Sequence, residues 1–219
     1  YIYLSDIGYN STRDQRSSGR RDFLYTDSAY YRNHFTDFKE RKYPLFVGSA
    51  GIYQLITRPV LPTHRPRGRL DFQLLYIASG QAHFYFNGKE EIVTAGHMVL
   101  YRPKEEQRYY YYGKDHTEVY WVHFTGNNAT NILRSYGIPD KAHVIHTGIS
   151  PEYKRIFMLM IQELKMSKTG FEKLLTFYLE YLLILISRLP EKQTRKKSSF
   201  LMDEMDKALT YFHANYNKA

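Results

Sequence analysis

The 219-residue chain contains no cysteine. Disulfide scaffolds, thiolate zinc sites and cysteine nucleophiles are therefore excluded together. Long apolar runs are missing too. The stretch Tyr181 to Ile186 is among the longest, far short of the ~20 residues a membrane-crossing helix needs. No charged-then-apolar leader opens the chain, so a cytoplasmic protein without a membrane partner is expected. Acidic residues are the scarcer charge, 22 against 31 Lys and Arg, for a net charge of +9. Most of that excess falls in residues 1–69, where 12 basic residues face 6 acidic ones. A basic surface attracts polyanions. No long basic helix or glycine–aromatic nucleic-acid motif accompanies it here, and the excess reads as a solvated surface.

Aromatic residues are plentiful. Tyr 22, Phe 13 and a single Trp make up 16% of the chain, and the apolar fraction of 43% is that of a folded globular protein. Tyrosine joins a flat apolar ring to a polar tip, which suits half-buried sheet faces and pockets for polar small molecules.

Periodicity divides the chain into four parts. Residues 1–42 show no sustained period and read as an N-terminal arm or irregular segment, with Tyr9 to Arg21 loop-like. From 43 to 148 short strands alternate with turn signals. Phe72 to Ala78 alternates with period two, and Ala82, Phe84 and Phe86 lead into Asn87-Gly88, a two-residue hairpin signal because both positions tolerate positive φ. Many short strands at this spacing indicate a β-barrel or sandwich. Ser150-Pro151-Glu152 then combines an N-cap, a first-turn proline and an acid at a helix start. Ile156, Phe157, Met160, Ile161 and Leu164 share one face of that helix. In a second helix Phe171, Leu175, Tyr178, Leu182, Leu185 and Leu189 form a heptad seam, with Leu174, Tyr181 and Ile186 as a second stripe. These stripes either meet a second copy of the chain or are buried within one chain. Residues 191–219 read as a basic linker followed by an amphipathic helix through Leu201, Met205, Ala208, Leu209 and Phe212.

Catalytic signatures are missing. Gly48-Ser49-Ala50-Gly51 is one residue short of a nucleophile elbow, and there is no phosphate loop, H-E-x-x-H pair or dinucleotide fingerprint. The nine histidines are scattered. No enzyme, catalytic residue or cofactor is expected.

The run Arg65 to Ile77 with Gly80 resembles the N-terminal sensor domain of AraC-family bacterial transcription regulators. So do Ala95-Gly96, Tyr101-Arg102-Pro103, Tyr109, and Tyr120 to Gly126. The resemblance covers about residues 43–126, and the helices at 150–190 are similar to the family's dimerisation segment. The helix around Met205 resembles the first helix of its DNA-binding domain. It implies an α+β fold: a cupin-like β-barrel (a jelly roll), an antiparallel helix pair and a final orphan helix. It also implies a small effector, often a sugar, a homodimer through 150–190, and DNA binding only through helix-turn-helix motifs outside this chain. The family's effector positions fall on Tyr53, Arg65, Tyr109 and Trp121, and a further pocket histidine is replaced by Val119. Trp121 offers a flat face to sugar C–H groups, and Arg65 a fork for vicinal hydroxyls or a carboxylate. The competing reading is that Trp121 and Tyr109 fill the core while Arg65 pairs with an acid. His123 and Tyr76 are lesser candidates.

Metal-binding cupins carry H-x-H-x3-E-x6-G. With Gly80 as the final glycine, Arg67 and Arg69 replace the histidines and Gln73 the glutamate. In the second motif Glu105 stands at the glycine and Arg108 at the histidine. Guanidinium groups stay protonated and repel a cation, so no metal is expected. The alternatives left are a metal-independent sugar isomerase or epimerase, and a carbohydrate-binding module without signalling.

Overall fold

A computed structural model describes residues 24–31 and 39–189. The amphipathic helix read at 201–212 and the loop-like Tyr9 to Arg21 lie outside the described residues. Ten strands form two antiparallel sheets. The larger has the order β1 (Leu24–Tyr30), β2 (Phe46–Leu55), β9 (Glu118–Thr125), β4 (Phe72–Ser79), β7 (His97–Tyr101) and β10 (Val144–His146). The smaller runs β3 (Val60–Arg65), β8 (Gln107–Tyr112), β5 (Gln81–Phe86) and β6 (Lys89–Thr94).

The sheets face one another as a jelly-roll-like pair and do not close into a continuous barrel, because β1, β10, β3 and β6 remain edges. The cupin-like α+β class read from sequence therefore stands, with a two-sheet sandwich in place of a closed barrel. Strand β1 lies inside the 1–42 segment read as irregular. Its register runs from Leu24 opposite Leu55 to Tyr30 opposite Ser49. Asp27 and Ser28 interrupt its apolar alternation, so pairing with β2 rather than periodicity makes it a strand.

Period-two alternation gives the large sheet two apolar faces. Leu74, Tyr76, Ala78, Tyr120, Val122 and Phe124 point to the helices, while Leu75, Ile77, Val119 and Trp121 point between the sheets. The Asn87-Gly88 turn has φ of 52° and 76°, as a two-residue hairpin requires.

Helix α2 (Pro151–Met166) starts where expected, and Ser150 Oγ accepts a hydrogen bond from the Glu152 backbone N–H at 3.2 Å. It buries the five predicted residues and Tyr153 against the large sheet. Helix α3 (Phe171–Ser187) buries Leu175, Leu179, Leu182, Leu183 and Ile186. The face so formed is rotated from the predicted seam. Tyr178 and Leu185 are half-buried, and Leu174 and Phe177 are exposed. Helix α1 (Ala129–Ser135) was not anticipated and packs Ala129 and Leu133 into the same core.

Candidate functional site

All four sequence candidates point between the two sheets. Trp121 sits on β9 between Gly51 of β2 and Leu75 of β4, with 3% of its surface exposed. Its indole stacks on Tyr53 at 5.9 Å and meets the His123 ring edge-on at 5.2 Å. Across the gap Tyr109 lies on β8 and accepts a hydrogen bond from Gln73 Nε2 at 3.3 Å. Arg65 ends β3 opposite Gln107, and its Nη1 donates to Gln107 Oε1 at 3.1 Å. Val119, at the position of the family's pocket histidine, is fully buried on the same inner face.

Tyr76 is not part of this interior. It faces the helices, packing on Tyr153 and Phe157, and its hydroxyl accepts from the Ser150 backbone N–H. His123 does reach the interior and is tied into a buried charge cluster. Arg69 donates Nε to Asp71 Oδ1 at 2.7 Å and Nη2 to Oδ2 at 3.1 Å. His123 Nδ1 is 3.3 Å from Asp71 Oδ1. Burial alone would raise the Asp71 pKa, but the His123 and Arg69 contacts outweigh it and hold the carboxyl at about 2. Burial lowers the His123 pKa, helped by the nearby Arg69 charge. The imidazole Nδ1–H donates to the Asp71 carboxylate.

Gln107, Tyr109 and Tyr111 alternate on one face of β8, and Gln73 and Tyr101 are opposite each other on β4 and β7. The sequence marks Tyr109 as an effector position, Tyr101 within the family-like run and Gln73 at a metal-cupin position, but neither Gln107 nor Tyr111. Several of these groups lack partners: Gln73 Oε1, Gln107 Nε2, Tyr111 OH and Trp121 Nε1 are buried without a hydrogen bond. A buried polar atom left unpaired costs ~1–3 kcal/mol, and such groups are few in native proteins. Burial drives the Tyr101 and Tyr111 phenols well above their usual pKa, so both stay protonated.

The residues at the metal-cupin positions do not fit a cation. Gln73 is bonded to Tyr109 and Arg69 to Asp71, Arg67 is exposed, and Arg108 lies on the outer face over the Tyr85 ring at 4.4 Å. Among the described residues, no three His, Asp or Glu side chains converge. Two hollows, of about 210 and 190 Å³, lie outside the sandwich, beside α1 and beside the end of α3.

A family model for the AraC-like ligand binding domain matches residues 49–179. The chain belongs to this family. The matched segment spans both sheets and runs into α3, and it includes Tyr53, Arg65, Tyr109 and Trp121. None of the curated proteins matches the chain. Solved structures similar to it include apo ToxT K231A from Vibrio cholerae, with 16% identity, TM-score 0.41, and coverage of 72% of this chain and 58% of that one. Unsaturated fatty acid-bound ToxT matches with 13% identity, TM-score 0.37, and 80% and 57% coverage. The Cupin_2 domain of an XRE family transcriptional regulator from Enterobacter cloacae matches with 7% identity, TM-score 0.33, and 47% and 95% coverage. The chain thus spans less than two thirds of either ToxT structure.

Proposed function

We propose that this AraC-like domain is the effector-sensing and dimerising part of a bacterial transcription regulator, and that its effector is a sugar-like molecule held between the sheets. The observation that carries this reading is the convergence of Arg65, Tyr53, Tyr109 and Trp121 on one interior from both sheets. Rings and polar tips together match the C–H faces and hydroxyls of a carbohydrate. The domain binds its guest without transforming it and works in the cytoplasm. DNA is contacted by a helix-turn-helix domain that follows in the whole protein. The α2–α3 pair provides the contact with a second copy.

The rings of the interior lie close together: Tyr101 and Tyr109 are 5.9 Å apart, and Tyr109 and Tyr111 5.4 Å. Admitting a guest separates them, so binding and a change in the relation of sheets, arm and helices occur together. The guest shifts that equilibrium by its differential affinity for the two arrangements.

A thermal-shift screen with neutral sugars and uronic acids, on wild type and Arg65→Ala, tests the reading. A compound that stabilises the first and not the second supports it through mass action. Failure of every compound to stabilise wild type removes it. One observation favours a second reading, a metal-independent isomerase or epimerase: the His123–Asp71 pair at 3.3 Å is a general-base arrangement. Conversion of a bound sugar that disappears in His123→Gln would select that alternative.

A further inference from the structure

Building on the interior site proposed above, we infer that its guest is polyhydroxylated and that Gln73, Gln107 and Tyr111 are the residues that select it. Each is at least nine-tenths buried, and each presents an atom with no hydrogen-bond partner to the space between the sheets. Their chemistry is complementary. Gln107 Nε2, like Trp121 Nε1, only donates; Gln73 Oε1 only accepts; the Tyr111 hydroxyl does either. A guest that satisfies all of them offers both acceptors and donors along its length, as a row of hydroxyls does. An apolar acid offers acceptors alone, at one end, and leaves Gln73 Oε1 unpaired.

Both amides are already oriented from their other end. Gln73 donates Nε2 to Tyr109, and Gln107 accepts from Arg65. This fixes which amide atom is turned to the guest. The sites are staggered in depth: Gln107 is level with Arg65 at the end of the strands, and Tyr111 lies four residues further along β8, opposite Leu61. Each step along a strand is about 3.3 Å, so Gln107 and Tyr111 stand about 13 Å apart along β8, nearer the length of a disaccharide than of a single sugar ring. A site built to hydrogen-bond a hydroxyl rejects an analogue that lacks it, because its own buried groups are then left unpaired.

Tyr109 and Tyr111 supply an internal contrast. The Tyr109 hydroxyl has a partner and that of Tyr111 has none. Tyr109→Phe should therefore lower the melting temperature of the ligand-free protein, while Tyr111→Phe should leave it unchanged or raise it. Binding should follow the opposite logic. Thermal shift and calorimetry with D-glucose, D-galactose, D-glucuronate, maltose, lactose and octanoate should find a sugar or uronate that stabilises wild type, and Tyr111→Phe should weaken it about tenfold. If Tyr111→Phe destabilises the ligand-free protein as much as Tyr109→Phe does, the hydroxyl is already partnered and the inference falls. Stabilisation by octanoate and by no sugar overturns the inference but leaves an effector site. Stabilisation by nothing in the panel removes both the inference and the site on which it rests.

Discussion

Gly51 is a severe test of the interior packing, because the chain has one tryptophan and that tryptophan lies over this glycine. A Cβ built on Gly51 would fall 2.7 Å from Trp121 Cε2 and 2.9 Å from the backbone oxygen of Asp27 on β1. Real Cβ atoms do not approach so closely. The ring has little freedom to swing aside, since Tyr53 stacks on it, His123 abuts its edge and Tyr30 lies 6.2 Å away. Retreat of β1 would strain the seven-residue ladder that pairs it with β2. Overpacking of a well-filled core costs typically ~1–3 kcal/mol. For a protein of this size each kcal/mol is worth about 2–4 °C. Gly51→Ala should therefore melt about 2–12 °C below wild type and shift the emission of Trp121, the sole indole. Differential scanning calorimetry and fluorescence on the same samples read both. A melting temperature within about 1 °C of wild type, with an unchanged emission spectrum, would refute the placement of the indole against β2 and with it the geometry of the candidate site.

The buried charge cluster predicts acid sensitivity. Asp71 has its pKa lowered from 3.8 to about 2 in the fold, so it contributes about 2 kcal/mol that is fully present above roughly pH 5 and lost as the pH falls toward 2. His123, kept neutral by burial, acts in the same direction from its unfolded value of 6.5 downward. Asp71→Asn should flatten the acid limb of a stability-against-pH curve. It should also cost ~3–5 kcal/mol near neutrality, since Arg69 and His123 lose their common acceptor; urea melts from pH 3 to 7 measure both. On α3 two neighbours should differ sharply. Leu179→Ala empties a fully buried position and should cost ~2–5 kcal/mol by chemical denaturation. Phe177, 59% exposed, tolerates change within one chain, so Phe177→Glu should leave unfolding nearly untouched and, if the proposed contact between copies runs through α3, lower the sedimentation coefficient. A wild type that sediments as a monomer, or a coefficient that the substitution leaves unchanged, would remove the proposed contact from this face.

What could be read from the chain follows the range of each signal. The Asn87-Gly88 hairpin, the Ser150-Pro151 cap and the apolar face of α2 are local patterns, and the structure bears out all three. Strand β1 and the rotation of α3 depend on partners distant in sequence: Leu24 meets Leu55, and α3 buries Leu179 and Leu183 where it packs on α2 and β2 rather than along a heptad. Helix α1 spans only seven residues, too short for a period to register.

The candidate site divides along the same line. Tyr53, Arg65, Tyr109 and Trp121 were marked by resemblance, and the two sheets bring their side chains to one interior. Gln107 and Tyr111 carry no mark in the sequence, and Gln73 is marked only as the residue at the metal-cupin glutamate position. Alternation in a strand tells which face a residue occupies but not whether its polar tip will find a partner. Gln73 and Tyr109 are 36 residues apart, and Arg65 and Gln107 are 42 apart. Which atom of each amide is bonded, and which is left over, is decided only when the strands come together. What remains unbonded in this interior is thus a property of the folded sheets. A sequence specifies that remainder only through the whole register of both sheets.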